Sequence, residues 1–208
     1  MKVLDTGFAR EFIRLCNDGW QFGWHESNGG NASYRLRKSE ANEVRSGFSA
    51  HGWQRLEVEL PRLAGECFLI TAAGSHFRSI AHDPKHSLGI IEIDRSGSAW
   101  RECWGFKGDA QPTSELLAHL ICHEVRMAAT EGKSRVIYHC HPADLAAMTN
   151  IVPPDGALFT RLLWAQVSEC AFVFPEGVQL LSWEVPGSVA LARKTAAAME
   201  RTSAVIWP

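Results

Sequence analysis

Two histidines one residue apart, His139 and His141, are the residues whose types and spacing point most directly to chemistry. They end the apolar, β-branched stretch RVIYHCH, just before Pro142. Side chains two positions apart on a β-strand share a face, with Cα atoms about 6.5 Å apart, while Cys140 between them would point into the core. Two imidazoles at that spacing can bind one metal ion, each through a neutral nitrogen at about 2.1 Å. The spacing alone favours a plainer interpretation, a strand end whose histidines contact water or a backbone carbonyl, because a catalytic zinc normally has three protein ligands.

A second histidine pair, His119 and His123, lies four residues apart in a predicted helix. That spacing also occurs in zinc proteases, but the glutamate of their HExxH motif is missing, since Leu-Ile-Cys separates the two histidines. We therefore interpret this pair as polar residues of a helix face, hydrogen-bonded at an interface.

The stretch SNGGN (27–31) places two consecutive glycines between Asn28 and Asn31. Glycine lets the backbone approach a ligand closely and adopt positive φ, and successive N–H groups can bind an anion. For NGGN alone, an ordinary tight turn after a helix is the more frequent structure.

The stretch QPTSELLAH (111–119) places Thr113, Ser114 and Glu115 at a predicted helix start. Hydroxyls and free N–H groups at that position suit a phosphate group. A carboxylate in the first turn usually only complements the helix dipole, and Glu115 would act as a base only with a substrate proton within hydrogen-bond reach. Alone, this signal is weak too.

Hydrophobic periodicity and turn residues predict a chain in which helices and strands alternate, with hairpins among them. A mixed sheet covered by helices is the expected architecture. The stretch 39–64 is polar and irregular and is predicted to be a long surface excursion. The predicted helices are 5–23, 113–130, 142–152, 156–168 and 186–203, and the predicted strands are 33–38, 66–74, 88–94, 99–106, 134–140, 169–174, 178–183 and 204–208.

The composition excludes several classes of protein. With 208 residues and 46% hydrophobic composition, the chain can form one domain with a sizeable core. A net charge of −2 argues against a general nucleic-acid or anionic-membrane binder, and no apolar run reaches the ~18 residues of a membrane span. The charged N-terminus does not suit a signal peptide. Six scattered cysteines without CxxC pairs predict reduced, mostly buried thiols in a cytoplasmic protein.

Taken together and in this order, NGGN, ITAAG, PTSEL and HCH resemble the class II (zinc-dependent) aldolases. The phrases GWHESNGGN, LGIIEID, RVIYHCHPADL, LFTRLLW, SEC-x-FVFPEGV and W-x-VPG extend the resemblance over nearly the whole chain. The resemblance implies an α/β fold, a single three-layer α/β/α domain over 1–208 with a central mixed, mostly antiparallel sheet. It also implies a homotetramer with active sites near subunit boundaries.

The family's reaction is reversible aldol cleavage of a sugar phosphate, here expected to be L-rhamnulose 1-phosphate, giving dihydroxyacetone phosphate and L-lactaldehyde. The resemblance makes His139 and His141 ligands of Zn²⁺ and Glu115 the catalytic acid/base. It makes Glu169 a carboxylate that lies near the active site and assists turnover. The residues expected to bind the substrate and its phosphate are Asn28, Gly30, Asn31, Gly74, Thr113 and Ser114.

Two departures from the family pattern matter. Ala73 stands where the family's phosphate-binding turn usually has a serine, so one hydroxyl contact is lost. The family's third zinc histidine follows shortly after a Trp-Pro like Trp207-Pro208, so we expect the C-terminal part of the family fold to lie beyond these 208 residues. Two alternatives stay open: an aldolase or epimerase for another sugar phosphate, or a catalytically dead, metal-free homologue that serves as a binding subunit.

Overall fold

A computed structural model describes residues 2–49 and 51–208 of the chain. The helices are α1 (Gly7–Gln21), α2 (Lys38–Val44), α3 (Pro84–Ser87), α4 (Leu116–Ala129), α5 (Ala143–Ile151), α6 (Gly156–Gln166), α7 (Cys170–Val173) and α8 (Val189–Met199). The strands are β1 (Asn31–Arg35), β2 (Gln54–Arg55), β3 (Cys67–Thr71), β4 (Leu88–Ile93), β5 (Ala99–Gly105), β6 (Val136–His139), β7 (Val178–Leu180) and β8 (Ala204–Ile206).

The central sheet has the strand order β2-β5-β4-β3-β1-β6, and each strand runs antiparallel to its neighbours. A separate parallel pair, β7 and β8, follows it. At the β6 edge, Asn31 of β1 lies directly opposite His139 of β6. This register brings the end of the NGGN stretch beside the histidine pair.

The two faces of the sheet carry two separate hydrophobic cores, because alternate strand residues point to opposite sides. In β3, Leu69 joins a core that contains Phe8 and Phe12 of α1. Its neighbours Phe68 and Ile70 join the other core, which contains Leu120 of α4. Helix α8 packs on the outside of α4. The predicted three-layer fold with a mostly antiparallel sheet is confirmed.

The prediction of a surface excursion at 39–64 is only partly right, because most of its described residues are exposed but five of them are buried. Ala41 and Val44 of α2 are buried in the first core, and Leu56, Leu60 and Leu63 are buried in the second. The apolar residues are separated by polar ones at irregular intervals, so no periodicity marks them, yet they close the two faces of the sheet. Ala50, within this stretch, lies outside the described residues.

The predicted strand at 169–174 is also wrong, because this segment contains the single-turn helix α7. Its backbone N–H groups donate within the segment instead of to a neighbouring strand, as from Val173 to the carbonyl of Glu169 at 3.0 Å. Phe172 is 86% exposed, so an apolar sequence here did not mean a buried strand. The other predicted helices and strands are confirmed, with boundaries shifted by a few residues.

Within the described ranges, no helix combines the length and the apolar character needed to cross a membrane.

Candidate active site

The imidazoles of His139 and His141 converge at the end of β6. Their Nε2 atoms are 3.1 Å apart and their ring centroids 4.8 Å apart. The backbone N–H of His141 donates to the carbonyl of Trp24 at 2.8 Å, which holds the chain just past the strand. Two nitrogens bound to one zinc ion at roughly 2.1 Å and a tetrahedral angle lie about 3.4 Å apart. The observed separation therefore fits two ligands of one ion after a small ring rotation.

Glu115 fixes the tautomer of His139. Its carboxylate accepts a hydrogen bond from Nδ1 of His139 at 2.9 Å. With the proton on Nδ1, Nε2 of a neutral ring carries the lone pair that a metal needs. Within residues 2–49 and 51–208, no group of three or more His, Cys, Asp or Glu side chains is arranged to hold a metal ion. The described chain thus offers two imidazole ligands, one fewer than the usual three.

The two glycines of NGGN are required by close contacts with the histidines. Gly30 has φ +82°, and a Cβ there would lie 2.5 Å from the carbonyl oxygen of His139 and 2.6 Å from Nδ1 of His25. A Cβ on Gly29 would lie 3.0 Å from Nδ1 of His141. The loop can pack this closely against His139 and His25 only because Gly30 has no side chain, whereas a Cβ on Gly29 would require a shift of its neighbours.

His25 also shapes this loop, and sequence reasoning missed it. Its Nδ1 bonds the carbonyl of Gly29 at 2.9 Å, its Nε2 bonds the hydroxyl of Tyr138 at 2.5 Å, and its ring stacks on Phe77 at 3.6 Å. Burial lowers the pKa of His25, although the Gly29 carbonyl opposes that shift. No spacing marks a lone histidine as a loop support, so the sequence carried no usable signal.

The end of β3 and the start of α4 form the other wall. The Thr71 hydroxyl accepts from the N–H of Ala32 at 3.1 Å, which ties β3 to β1. The N–H of Thr113 donates to the Thr71 carbonyl at 3.0 Å, and the N–H of Glu115 donates to the Thr113 hydroxyl at 3.3 Å. These bonds place the TSE segment beside the turn that contains Gly74, whose φ is +68°.

These walls enclose a cavity of about 680 Å³. Trp207 also lines it, and its ring lies 4.6 Å from the His139 ring while its Nε1 donates to the Thr195 hydroxyl at 3.0 Å. Every predicted site residue except one lines the cavity, namely Asn28, Gly30, Asn31, Gly74, Thr113, Ser114, Glu115, His139 and His141.

The exception is Glu169, which is exposed at the start of α7 and does not line the cavity. Its carboxylate accepts a hydrogen bond from the hydroxyl of the adjacent Ser168 at 3.2 Å. Cys140, expected in the core, is half-buried and lines the cavity instead, because β6 ends one residue before it.

The second histidine pair is buried inside the fold. His119 and His123 are 2% and 1% exposed, and both bond the Ser33 hydroxyl, at 2.7 and 2.9 Å. The expectation of hydrogen-bonded polar residues holds, but their partner is β1 of the same chain. Burial lowers the pKa of His119 to about 4, and burial with neighbouring His119, Arg35 and Arg135 lowers that of His123 well below its usual value.

Opposing effects act on the Glu115 carboxylate. Burial raises its pKa, but hydrogen bonds from His139 and from the Asn31 amide outweigh this, so the pKa is lowered overall. Among the residues that the structure describes, Glu115 is the only acidic side chain lining the cavity. It is therefore the carboxylate placed to exchange protons with a bound molecule.

Comparisons with known proteins agree with this geometry. The family model described as Class II Aldolase and Adducin N-terminal domain matches residues 10–208. Rhamnulose-1-phosphate aldolase of Klebsiella pneumoniae is 39% identical over 207 residues, covering 99% of this chain and 75% of that protein. The Escherichia coli protein of the same name is also 39% identical, covering 99% of this chain and 76% of its own length.

Solved structures show the same fold. A sugar-phosphate aldolase from Thermotoga maritima superposes with a TM-score of 0.77 at 26% identity, covering 95% of this chain and 79% of that chain. An L-fuculose 1-phosphate aldolase superposes with a TM-score of 0.56 at 20% identity, covering 95% and 69%, which indicates the fold alone. The chain spans about three quarters of the curated relatives' length. It belongs to the family of class II aldolase and adducin N-terminal domains.

Proposed function

We propose that this chain carries the active-site residues of a zinc-dependent aldolase that reversibly cleaves L-rhamnulose 1-phosphate to dihydroxyacetone phosphate and L-lactaldehyde. The observation that carries the proposal is the facing pair His139 and His141, with Glu115 bonded to one of them in the same cavity. The names of the relatives at 39% identity supply the substrate.

Glu115 is the proposed acid/base. Cleavage of the C3–C4 bond requires removal of a proton from the C4 hydroxyl and delivery of a proton to C3. A carboxylate within hydrogen-bond reach of the substrate can do both. Its hydrogen bond to His139 keeps it beside the imidazole pair, and its lowered pKa keeps it ionised at neutral pH, ready to accept the first proton.

His139 and His141 are the proposed protein ligands of zinc, and their geometry fits the ion. When bound, zinc would supply Lewis-acid stabilisation of the negative charge that develops on the ketone oxygen. We propose that a third ligand comes from the part of the relatives' fold that these 208 residues do not span. The role of the protein residues here is to present two neutral nitrogens on one side of the cavity.

The walls of the cavity suit the phosphate and hydroxyl groups of the substrate. The loop with Asn28, Gly30 and Asn31 lies on one side, and Thr113 and Ser114 lie at the start of α4 on the other. Backbone N–H groups at a helix start and in glycine-rich turns bind phosphate through their partial positive charges. In the turn with Gly74, the N–H groups of Ala72, Ala73 and Ser75 already donate to backbone carbonyls, and Ala73 lacks a hydroxyl. The proposed phosphate contact from this turn therefore falls to the N–H of Gly74. The phosphate would contribute binding energy away from the reacting bond and so hold the substrate in register.

Glu169 and the assembly are linked in the proposal. Since Glu169 is exposed and outside the cavity of its own chain, it can assist turnover only in an arrangement that brings it to an active site. The proposed homotetramer, with active sites near subunit boundaries, is such an arrangement. We propose a cytoplasmic location, in keeping with six free cysteines, four of them buried.

A second candidate is an aldolase or epimerase for a different sugar phosphate. This candidate is supported by the similarity, at 26% identity, to the Thermotoga maritima protein described as a sugar-phosphate aldolase. A catalytically dead, metal-free binding subunit is the remaining alternative.

Product analysis with a panel of ketose 1-phosphates decides among the three. The natural full-length protein is expected to release dihydroxyacetone phosphate from L-rhamnulose 1-phosphate faster than from the other ketose 1-phosphates. Faster release from another member of the panel would change the substrate, and an epimerised product without triose phosphate would replace the reaction. A metal-free protein without turnover on any substrate would contradict the proposal altogether.

A further inference from the structure

A buried chain of polar side chains leads from α4 to Glu115. His123 bonds Ser33, Ser33 bonds His119, and His119 bonds the side-chain oxygen of Asn31. Asn31 and Glu115 both line the cavity, and the Asn31 amide lies close enough to help lower the pKa of the Glu115 carboxylate. Asn31, Ser33, His119 and His123 are all less than 8% exposed. Only Asn31, His119 and Glu115 reach the cavity wall. The proposed metal ligands and phosphate contacts do not explain why two buried histidines, His119 and His123, lie next to the cavity wall.

The chemistry of each group fixes the direction of every hydrogen bond. A carboxylate only accepts, so Asn31 must present its NH₂ to Glu115 and its Oδ1 to His119. Oδ1 also only accepts, so Nε2 of His119 must carry a proton. A neutral His119 ring then has a lone pair on Nδ1, which accepts a hydrogen bond from the Ser33 hydroxyl.

His123 is the last residue in this chain of hydrogen bonds. The Ser33 hydroxyl already donates its hydrogen bond to His119, so its oxygen accepts a hydrogen bond from Nε2 of His123 at 2.9 Å. Both rings must be neutral with the proton on Nε2, and their burial disfavours the charged form. The ring of His123 is held in place against Phe68, at 4.9 Å between centroids.

We propose that His119, set by Ser33 and His123, is a positioning residue that locks the Asn31 amide with its NH₂ toward Glu115 and the cavity. The inference rests on the proposed function and adds a reason for the buried histidine pair. One amide proton orients the Glu115 carboxylate, and the other remains for an oxygen of the substrate. With the reverse orientation, the Asn31 oxygen would face the carboxylate oxygen and repel it.

Ser33→Ala tests the proposal because it removes only the hydroxyl between the two histidines. His119 then loses the donor that selects its tautomer. We expect kcat to fall about 10-fold, the effect of losing one net hydrogen bond, with a smaller change in KM. Ser33→Thr keeps a hydroxyl in a strand position and is expected to restore most of kcat.

The matched control is Thr6→Ala. Thr6 is also a buried hydroxyl, 1% exposed, but it caps α1 and does not line the cavity. Its loss removes the cap of α1 and is expected to lower the melting temperature and to leave kcat unchanged. A fall in kcat for Thr6→Ala equal to that for Ser33→Ala would mean that lost stability alone explains the effect, and would overturn the proposal.

NMR of the ring nitrogens in protein labelled with ¹⁵N-histidine gives a readout independent of turnover. Wild-type His119 and His123 are expected to carry their protons on Nε2, and Ser33→Ala is expected to shift both the His119 signals and the Asn31 side-chain amide signals. A proton on Nδ1 of wild-type His119, or unchanged Asn31 signals in Ser33→Ala, would overturn the proposal. If the wild-type protein cleaved no sugar phosphate, the proposed function would fail while these nitrogen signals still decided the orientation of Asn31.

Discussion

Gly30→Ala is expected to damage the metal pair through backbone contact, without removing any proposed ligand. Gly30 has φ +82°, a region that costs alanine about 1–2 kcal/mol. Its new Cβ would also lie 2.5 Å from the His139 carbonyl oxygen and 2.6 Å from Nδ1 of His25. Since non-bonded atoms normally stay beyond about 3.5 Å, the loop or the end of β6 must move by roughly 1 Å.

A displacement of that size at a catalytic group can cost about 10²-fold in rate. We therefore expect Gly30→Ala to lose about 10²-fold in kcat/KM for aldol cleavage and to bind zinc more weakly. The assay is release of dihydroxyacetone phosphate by the natural full-length protein, with zinc content measured on the same samples.

Gly23→Ala is the matched control. Gly23 has φ +75°, nearly the same as Gly30, but a Cβ there meets nothing within 4 Å. It should therefore lose a similar 1–2 kcal/mol of stability and keep its activity and zinc. Gly30→Ala with kcat/KM and zinc content equal to those of Gly23→Ala would refute the reasoning.

Two further predictions concern single ionisable groups. Glu115→Gln keeps an oxygen to accept from Nδ1 of His139 but cannot take a proton, so kcat should fall at least 10²-fold with zinc retained; a fall of less than 10-fold in steady-state assays would remove Glu115 from the proposed role. Burial lowers the pKa of His119 from its usual 6.5 to about 4 in the folded protein. As the pH falls, His119 is therefore protonated in the unfolded state before it is protonated in the folded state. The stability that depends on the neutral ring is complete above pH 6.5 and is lost as the pH falls toward 4. That loss amounts to about 3 kcal/mol, and urea unfolding of wild type and His119→Gln at pH 7 and pH 4 should differ in pH dependence by this amount; equal pH dependence would contradict it.

Much of the site could be predicted because local spacing determined it. The spacing of two correctly brought His139 and His141 together, although β6 ends at His139 and the bond from the His141 N–H to the Trp24 carbonyl holds the chain beyond it. The register with β1 places Asn31 opposite His139. The glycines of NGGN were recognisable as points of close approach, although the atoms they approach, including the His139 carbonyl, were not.

The rest depended on contacts between distant parts of the chain. Ser33 and His119 are 86 positions apart, and no pattern in either segment indicates that they bond. His25 and Tyr138 are 113 positions apart, and no pattern in the sequence indicates that they bond and support the loop. The buried leucines of 39–64 were missed because their burial depends on packing in one core with Phe68 and Ile70 of β3, which the local sequence does not show. Glu169 came from resemblance alone, and the fold of one chain leaves it outside the cavity.

Zinc analysis together with product release, for the natural full-length wild type and His141→Ala, tests the central claim most directly. His141 contributes one of the two facing nitrogens, and the account predicts about one zinc per wild-type subunit, rapid release of dihydroxyacetone phosphate from L-rhamnulose 1-phosphate, and loss of both in the variant. A wild-type protein without zinc and without turnover, or a His141→Ala variant that retained both, would contradict it.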